Sequence, residues 1–241
     1  MSQFIKIPSF KLSVYLRGDP RAQKLALVLP GRIDTKDYPH MRSHVDYLAS
    51  RGYLALSFDP PGTWESPGGI KLYTMTNYAK AVNELITYFR NKPTVLMGHS
   101  RGGSIAMLVG PQNKHVTHII TAMSRPTPSK ISEKEKESGV EISFQDTPSG
   151  GKKKFELPLS YFEDASKYNM VEALSACTKP KLFIFGTNDD DITPESVRDT
   201  YKRSAKPKEL CEVNSVHNYR FHPEIIREIN RIMGRFLDKK F

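Results

Sequence analysis

The stretch Thr94-Val95-Leu96-Met97-Gly98-His99-Ser100-Arg101-Gly102 decides how the rest of the chain is read. Its first five residues form a short apolar run of the kind that makes a buried strand. Gly98-His99-Ser100-Arg101-Gly102 then has the form G-x-S-x-G, and a helical pattern over residues 104–109 follows it. A chain that turns from strand to helix in so few residues holds the serine in a strained conformation with its Oγ exposed. A bulky side chain two residues to either side would clash, which accounts for glycine at 98 and 102. The N-terminus of the next helix offers a positive dipole end and free N–H groups, both suited to a developing oxyanion.

Outward from this turn, short apolar runs alternate with segments of helical period. Leu25-Ala26-Leu27-Val28-Leu29 is a strand that stops at Pro30-Gly31. Residues 40–50 make a helix that ends at Gly52, and Tyr53-Leu54-Ala55-Leu56-Ser57-Phe58 is the next strand. A helix over 77–90 precedes the Thr94 strand. Further strands are expected at 116–123 and 181–185, a weaker one at 210–213, and a closing helix at Pro223–Leu237. Such alternation predicts an α/β fold with a mostly parallel central sheet and helices on both faces. Residues 4–17 are expected to add one or two antiparallel edge strands. The whole chain, 1–241, reads as one domain.

Residues 124–167 interrupt the pattern. They are polar and lysine-rich, with a short helix at 132–138 and a hairpin: Val140-Glu141-Ile142-Ser143-Phe144, a turn at Pro148-Ser149-Gly150-Gly151, then Lys154-Phe155-Glu156-Leu157. This insertion is expected to lie over one edge of the sheet as a small cap.

A serine hydroxyl needs a base, and the base needs an orienting acid. After a strand-elbow-helix serine the order should be acid, then histidine. Gly186-Thr187-Asn188-Asp189-Asp190-Asp191-Ile192-Thr193-Pro194 follows a strand, and Val216-His217-Asn218-Tyr219 precedes the last helix.

With these segments the chain resembles the α/β-hydrolases over nearly its whole length. The elbow at 98–103, Phe58-Asp59-Pro60-Pro61-Gly62-Thr63-Trp64-Glu65-Ser66, the loop at 186–194 and His217-Asn218-Tyr219 carry the resemblance. Within that superfamily the chain looks most like small bacterial esterases with a short hairpin insertion after the sixth strand. The resemblance implies Ser100 as nucleophile, His217 as general base and then acid, and an aspartate orienting the histidine. Counting forward from the glycine points to Asp189; counting back from the proline points to Asp190. Asp189 is the favoured assignment, and Asp191 is expected to face solvent or to cap the next helix.

One oxyanion donor should be the amide of Arg101, the residue after the serine. By resemblance the second is the amide of Arg32, in Pro30-Gly31-Arg32, where the family usually has His-Gly. The Arg32 side chain could also favour a substrate carrying a carboxylate. Trp64, the only tryptophan, stands where the family has a small residue and is a candidate for lining the substrate cleft. His99 is expected to pack beneath the elbow.

Composition narrows the function further. The chain has 241 residues, a net charge of +10 and 38% hydrophobic residues, which suits one large soluble domain with its own core. No apolar run approaches the ~18 residues that span a bilayer, and Met1-Ser2-Gln3-Phe4-Ile5-Lys6 lacks a signal pattern, so a cytoplasmic protein with no membrane partner is expected. The basic residues are dispersed without aromatic interleaving, so no nucleic-acid partner is expected. Two cysteines, Cys177 and Cys211, are too few for a disulfide framework or a Cys-based zinc site and read as buried free thiols. No metal and no cofactor are expected. The expected activity is hydrolysis of small or medium soluble esters, anionic ones included, through an acyl-enzyme. The alternatives are a peptidase or amidase, for which Glu65 is a candidate amine-binding acid, a thioesterase, or a non-catalytic binding protein on the same fold.

Overall fold

The computed structural model describes residues 3–127 and 132–240. Ten strands and eight α-helices alternate among the described residues: β1 (Gln3–Lys6), β2 (Lys11–Arg17), β3 (Lys24–Leu29), α1 (Pro39–Ser50), β4 (Tyr53–Phe58), α2 (Met75–Tyr88), β5 (Thr94–His99), α3 (Arg101–Gln112), β6 (Val116–Ala122), α4 (Glu133–Ser138), β7 (Val140–Asp146), β8 (Lys152–Pro158), α5 (Leu159–Ser166), α6 (Val171–Ala176), β9 (Lys181–Gly186), α7 (Pro194–Arg203), β10 (Lys208–Val213) and α8 (Pro223–Leu237). Eight strands form one sheet in the order β1-β2-β4-β3-β5-β6-β9-β10. The β1–β2 and β2–β4 pairs are antiparallel, and the pairs from β4 through β10 are parallel.

Why these runs become strands is visible in their burial. Every residue of β4, β5 and β9 is buried, because both faces of the sheet are covered. Leu25, Leu27 and Leu29 face α2 and α3, while Ala26 and Val28 face α1 and α8. The last helix shows the complementary pattern: Ile225, Ile229, Ile232, Met233 and Phe236 are buried along one stripe. Each large side chain so buried contributes roughly 1.5–3 kcal/mol. Among the described residues no helix is long and apolar enough to cross a membrane.

Three departures from the sequence reading have physical causes. Helix α3 starts at Arg101, three residues earlier than the apolar pattern indicated, and continues to Gln112 through Gly110 and Pro111. Tertiary packing overrides the weak propensity of its glycines. Helices α5, α6 and α7 lie outside the expected elements: the first two are short, and the outer face of α7 is charged. The Thr193-Pro194 pair does carry a start signal for α7, since Thr193 Oγ1 caps the Ser196 amide. The hairpin of β7 and β8 forms as expected but not at a sheet edge. It lies over loops at the carboxyl ends of central strands: Tyr38 Oη donates to the Asp146 carbonyl at 2.7 Å, Lys153 Nζ to the Trp64 carbonyl at 3.1 Å, and Arg32 Nη1 to Glu141 at 3.1 Å. Residues 128–131 of the expected insertion, and Met1 and Ser2 of the N-terminal reading, lie outside the described residues. Both thiols are free, with Cys177 buried as expected and Cys211 only half-buried.

Candidate active site

Ser100 sits between β5 and α3 with φ 50° and ψ −118°. A non-glycine residue rarely takes a positive φ, and three groups hold it there. Its amide donates to the Ala122 carbonyl at 2.9 Å, and its carbonyl accepts from Gly103 N at 3.0 Å and from Ser124 Oγ at 2.9 Å. A Cβ at Gly98 would fall on the Gly102 carbonyl group, and one at Gly102 on the Leu29 carbonyl oxygen. Both glycines are therefore steric requirements of the turn.

His217 and Asp189 come to this serine from separate loops. His217 Nε2 lies 2.9 Å from Ser100 Oγ, and His217 Nδ1 lies 2.9 Å from Asp189 Oδ2 and 3.1 Å from Oδ1. Asp189 is buried, and its Oδ1 also accepts the amides of Asp191 at 2.9 Å and Ile192 at 2.8 Å. An ionised carboxylate so placed holds the imidazole proton on Nδ1 and leaves Nε2 as acceptor for the serine hydroxyl. Asp190 is exposed. Of the two aspartates left open by counting, the structure joins Asp189 to His217. Asp191 is exposed at the rim of the cavity, and Thr193 rather than Asp191 caps α7.

Behind the histidine, His99 Nε2 donates to the His217 carbonyl at 3.0 Å. His99 is buried, and burial pulls its pKa below the ordinary value, with Asp34 opposing. Asp34, His40 and His99 form the one buried cluster with metal-ligand spacing among the described residues. Arg220 Nη1 lies 3.4 Å from Asp34 Oδ1, so that carboxylate already has a cation partner.

The cavity over Ser100 has a volume of about 340 Å³. Arg32, Arg101 and Arg125 line it with Gln145 of the hairpin. Arg101 opens α3, where the first amides have no intrahelical acceptor. Arg32 follows Gly31, at which a Cβ would stand 2.6 Å from Asp34 Oδ2. The turn continues through Ile33 at φ 50°. Tyr73 Oη accepts the Ile33 amide at 3.0 Å, and Trp64 Nε1 donates to the Ile33 carbonyl at 2.8 Å.

Trp64 thus corrects the sequence reading. It does not line the cavity; its ring lies edge-on to Tyr38 and Phe155 and braces the Arg32 loop from behind. Glu65 is likewise outside the cavity, with its carboxylate on the buried Lys36 at 2.6 Å and on Ser13 Oγ at 2.9 Å. Arg125 and Gln145 were missed. Neither carries a motif: Arg125 reaches the cavity from the turn after β6, and Gln145 because the hairpin folds back over it.

A model of the alpha/beta hydrolase fold matches residues 26–150, just over half of the chain. The chain belongs to the alpha/beta hydrolase family. Among solved members of this fold, Est1E from Butyrivibrio proteoclasticus, with ferulic acid bound, superimposes with a TM-score of 0.78 at 20% identity, over 99% of this chain and 100% of that one. Alpha/beta hydrolase domain-containing protein 10 from mouse gives 0.78 at 16% identity, over 99% and 98%. The enol-lactonase from Burkholderia xenovorans gives 0.75 at 14% identity, over 98% and 100%. At these identities the likeness is one of fold. No curated protein matches this alpha/beta hydrolase significantly in sequence.

Proposed function

We propose that this protein is a serine hydrolase that cleaves small or medium carboxylic esters through an acyl-enzyme. The observation that carries the reading is the unbroken chain Ser100 Oγ–His217 Nε2, His217 Nδ1–Asp189 Oδ2, each contact 2.9 Å. Ser100 Oγ attacks the ester carbonyl while His217 Nε2 takes its proton. The oxyanion accepts the amide hydrogens of Arg101 and Arg32. Collapse of the tetrahedral intermediate breaks the ester bond, and His217 returns the proton to the departing alcohol. Water then attacks the acyl-enzyme with His217 as base, releasing the acid and restoring Ser100. Asp189 stabilises the imidazolium that forms twice in the cycle.

The hairpin is proposed as a small cap. Its ties to Arg32, Tyr38 and the Trp64 loop leave about 340 Å³ beneath it, room for a compact substrate. The displacement of Glu65 onto Lys36 leaves the amine-binding role expected of a peptidase without its candidate.

A fluorophosphonate probe tests the proposal without choosing a substrate. The wild-type protein should label and Ser100→Ala should not. A folded wild type that stays unlabelled, and turns over no member of an ester, thioester and lactone panel, would overturn the reading.

A further inference from the structure

Pockets that receive neutral acyl chains are lined mostly by apolar side chains. The cavity over Ser100 departs from that rule: among the described residues Ile192 is its one aliphatic lining residue, against three arginines. Their charges are unevenly matched. Arg32 is paired with Glu141 at 3.1 Å. Asp34, which also lines the cavity, is occupied by Arg220 from outside it. Asp191 lies close enough to Arg125 to support its charge, while burial and then the neighbouring Arg101 cation push the Arg125 pKa down. That leaves Arg101. Among the described residues it forms no ion pair; its guanidinium carbon lies 5.4 Å from the centre of the Tyr161 ring. Arg101 is also the residue directly after Ser100, so its side chain starts beside the reacting centre.

We propose that the cavity selects substrates bearing a carboxylate, bound by Arg101 with Arg125 beside it, within reach of the scissile carbonyl. This deepens the hydrolase reading and rests on it. The positive charge of Arg101, which forms no ion pair among the described residues, fits a monoanion better than a phosphate dianion. The planar guanidinium matches a carboxylate in a fork-to-fork geometry.

Two pairs of chromogenic or acetyl esters test the idea. The first compares mono-4-nitrophenyl glutarate with its methyl-capped neutral counterpart, placing the carboxylate on the acyl side. The second compares the acetyl esters of 4-hydroxybenzoate and 4-hydroxybenzamide, placing it on the leaving side. At least one pair should show a kcat/KM preference for the anion of roughly 10-fold or more, the scale of a charge-assisted hydrogen bond. Arg101→Gln keeps the backbone amide and should collapse that ratio mainly through KM, with Arg101→Lys restoring part of it. Glutarate binding to Ser100→Ala, measured by calorimetry, is read separately and should disappear when Arg101→Gln is added.

The outcomes separate the two readings. A protein that labels with fluorophosphonate, shows no anion preference in either pair and binds no glutarate is a hydrolase without this selectivity, and the proposal falls. A protein that neither labels nor turns over, yet binds glutarate through Arg101, supports the anion pocket while the hydrolase reading fails. Glutarate binding that survives Arg101→Gln overturns the assignment to Arg101.

Discussion

Replacing Asp189 by asparagine keeps the shape of the side chain and removes only its charge and one acceptor. The structure dictates how the new amide must sit. Oδ1 accepts two backbone amides, from Asp191 at 2.9 Å and Ile192 at 2.8 Å. Turning the amide nitrogen towards them would set donor against donor twice, so the asparagine oxygen stays on that side. The NH2 group then takes the place of Oδ2, 2.9 Å from His217 Nδ1. There it donates to Nδ1 and stabilises the tautomer with its proton on Nε2. That proton faces Ser100 Oγ at 2.9 Å, where the proposed acylation needs a lone pair. Recovering the productive tautomer sets two N–H groups against each other, and the imidazolium formed in the reaction loses a charge-assisted bond of about 1.5–3 kcal/mol. With the tautomer cost added, about 4–5 kcal/mol is lost, or roughly 10³- to 10⁴-fold in acylation rate. Pre-steady-state release of 4-nitrophenol would measure it, with circular dichroism confirming the fold. Asp190→Asn, altering an exposed carboxylate one residue away, should stay within about twofold. An Asp189→Asn protein with more than a tenth of wild-type acylation, or a loss that follows Asp190 instead, would refute the reasoning.

Other consequences are equally direct. Gly102→Ala drives a methyl group into the Leu29 carbonyl oxygen and should destabilise the protein by about 3 kcal/mol or more in urea unfolding; a midpoint near wild type would mean the elbow is looser than described. Trp64→Phe removes the hydrogen bond to the Ile33 carbonyl and should lower kcat about fivefold with little change in KM, about 1 kcal/mol of loop positioning; a change in KM alone would return Trp64 to the substrate cleft. Burial holds His44 down to about 4 and His40 well below its ordinary value, so both are neutral in the folded state, whereas in the unfolded chain they titrate near 6.5. Their stabilising contribution is present above pH 6.5 and is lost as pH falls towards 4. His44 alone should cost about 2 kcal/mol between pH 7.5 and pH 5; a flat urea midpoint over that range would contradict its burial as a neutral ring.

The parts of this structure that were legible in the sequence share a cause: each is enforced by local chemistry. Strands buried on both faces leave unbroken apolar runs such as Leu25 to Leu29 and Tyr53–Phe58. A strand-to-helix turn leaves glycines at 98 and 102 because backbone occupies the space their Cβ atoms would fill. What was illegible depended on the path of distant segments. Spacing could not decide between Asp189 and Asp190, since the decision lies in which carboxylate the Asp191 and Ile192 amides draw inward. Nor could it show that the indole N–H of Trp64 reaches back to Ile33, a contact made across adjacent strands. Arg125 enters the site after β6 and Gln145 from the hairpin, and neither has a neighbour in sequence that betrays its role.

The backbone explains why the site needs several adjacent strands of the sheet. Four non-glycine residues with positive φ surround it: Ile33, Trp64, Ser100 and Met123, at 50°, 47°, 50° and 48°. They follow β3, β4, β5 and β6, which stand side by side in the order β4-β3-β5-β6. Each such residue costs of order 1–3 kcal/mol and persists only where its surroundings over-determine it. The restraints here are mutual. Trp64 and Tyr73 hold Ile33, Ile184 holds the Met123 amide, and the next residue, Ser124, holds Ser100. Ile33, Ser100 and Met123 are each braced by groups from another loop or from strand β9, so none is held by its own loop alone. The cost is met by the buried sheet beneath, and the return is a serine, a pair of turns and a histidine loop whose positions are set before any substrate arrives. Preorganisation of this kind is what lets backbone amides stabilise a transient oxyanion without rearranging at the moment of reaction.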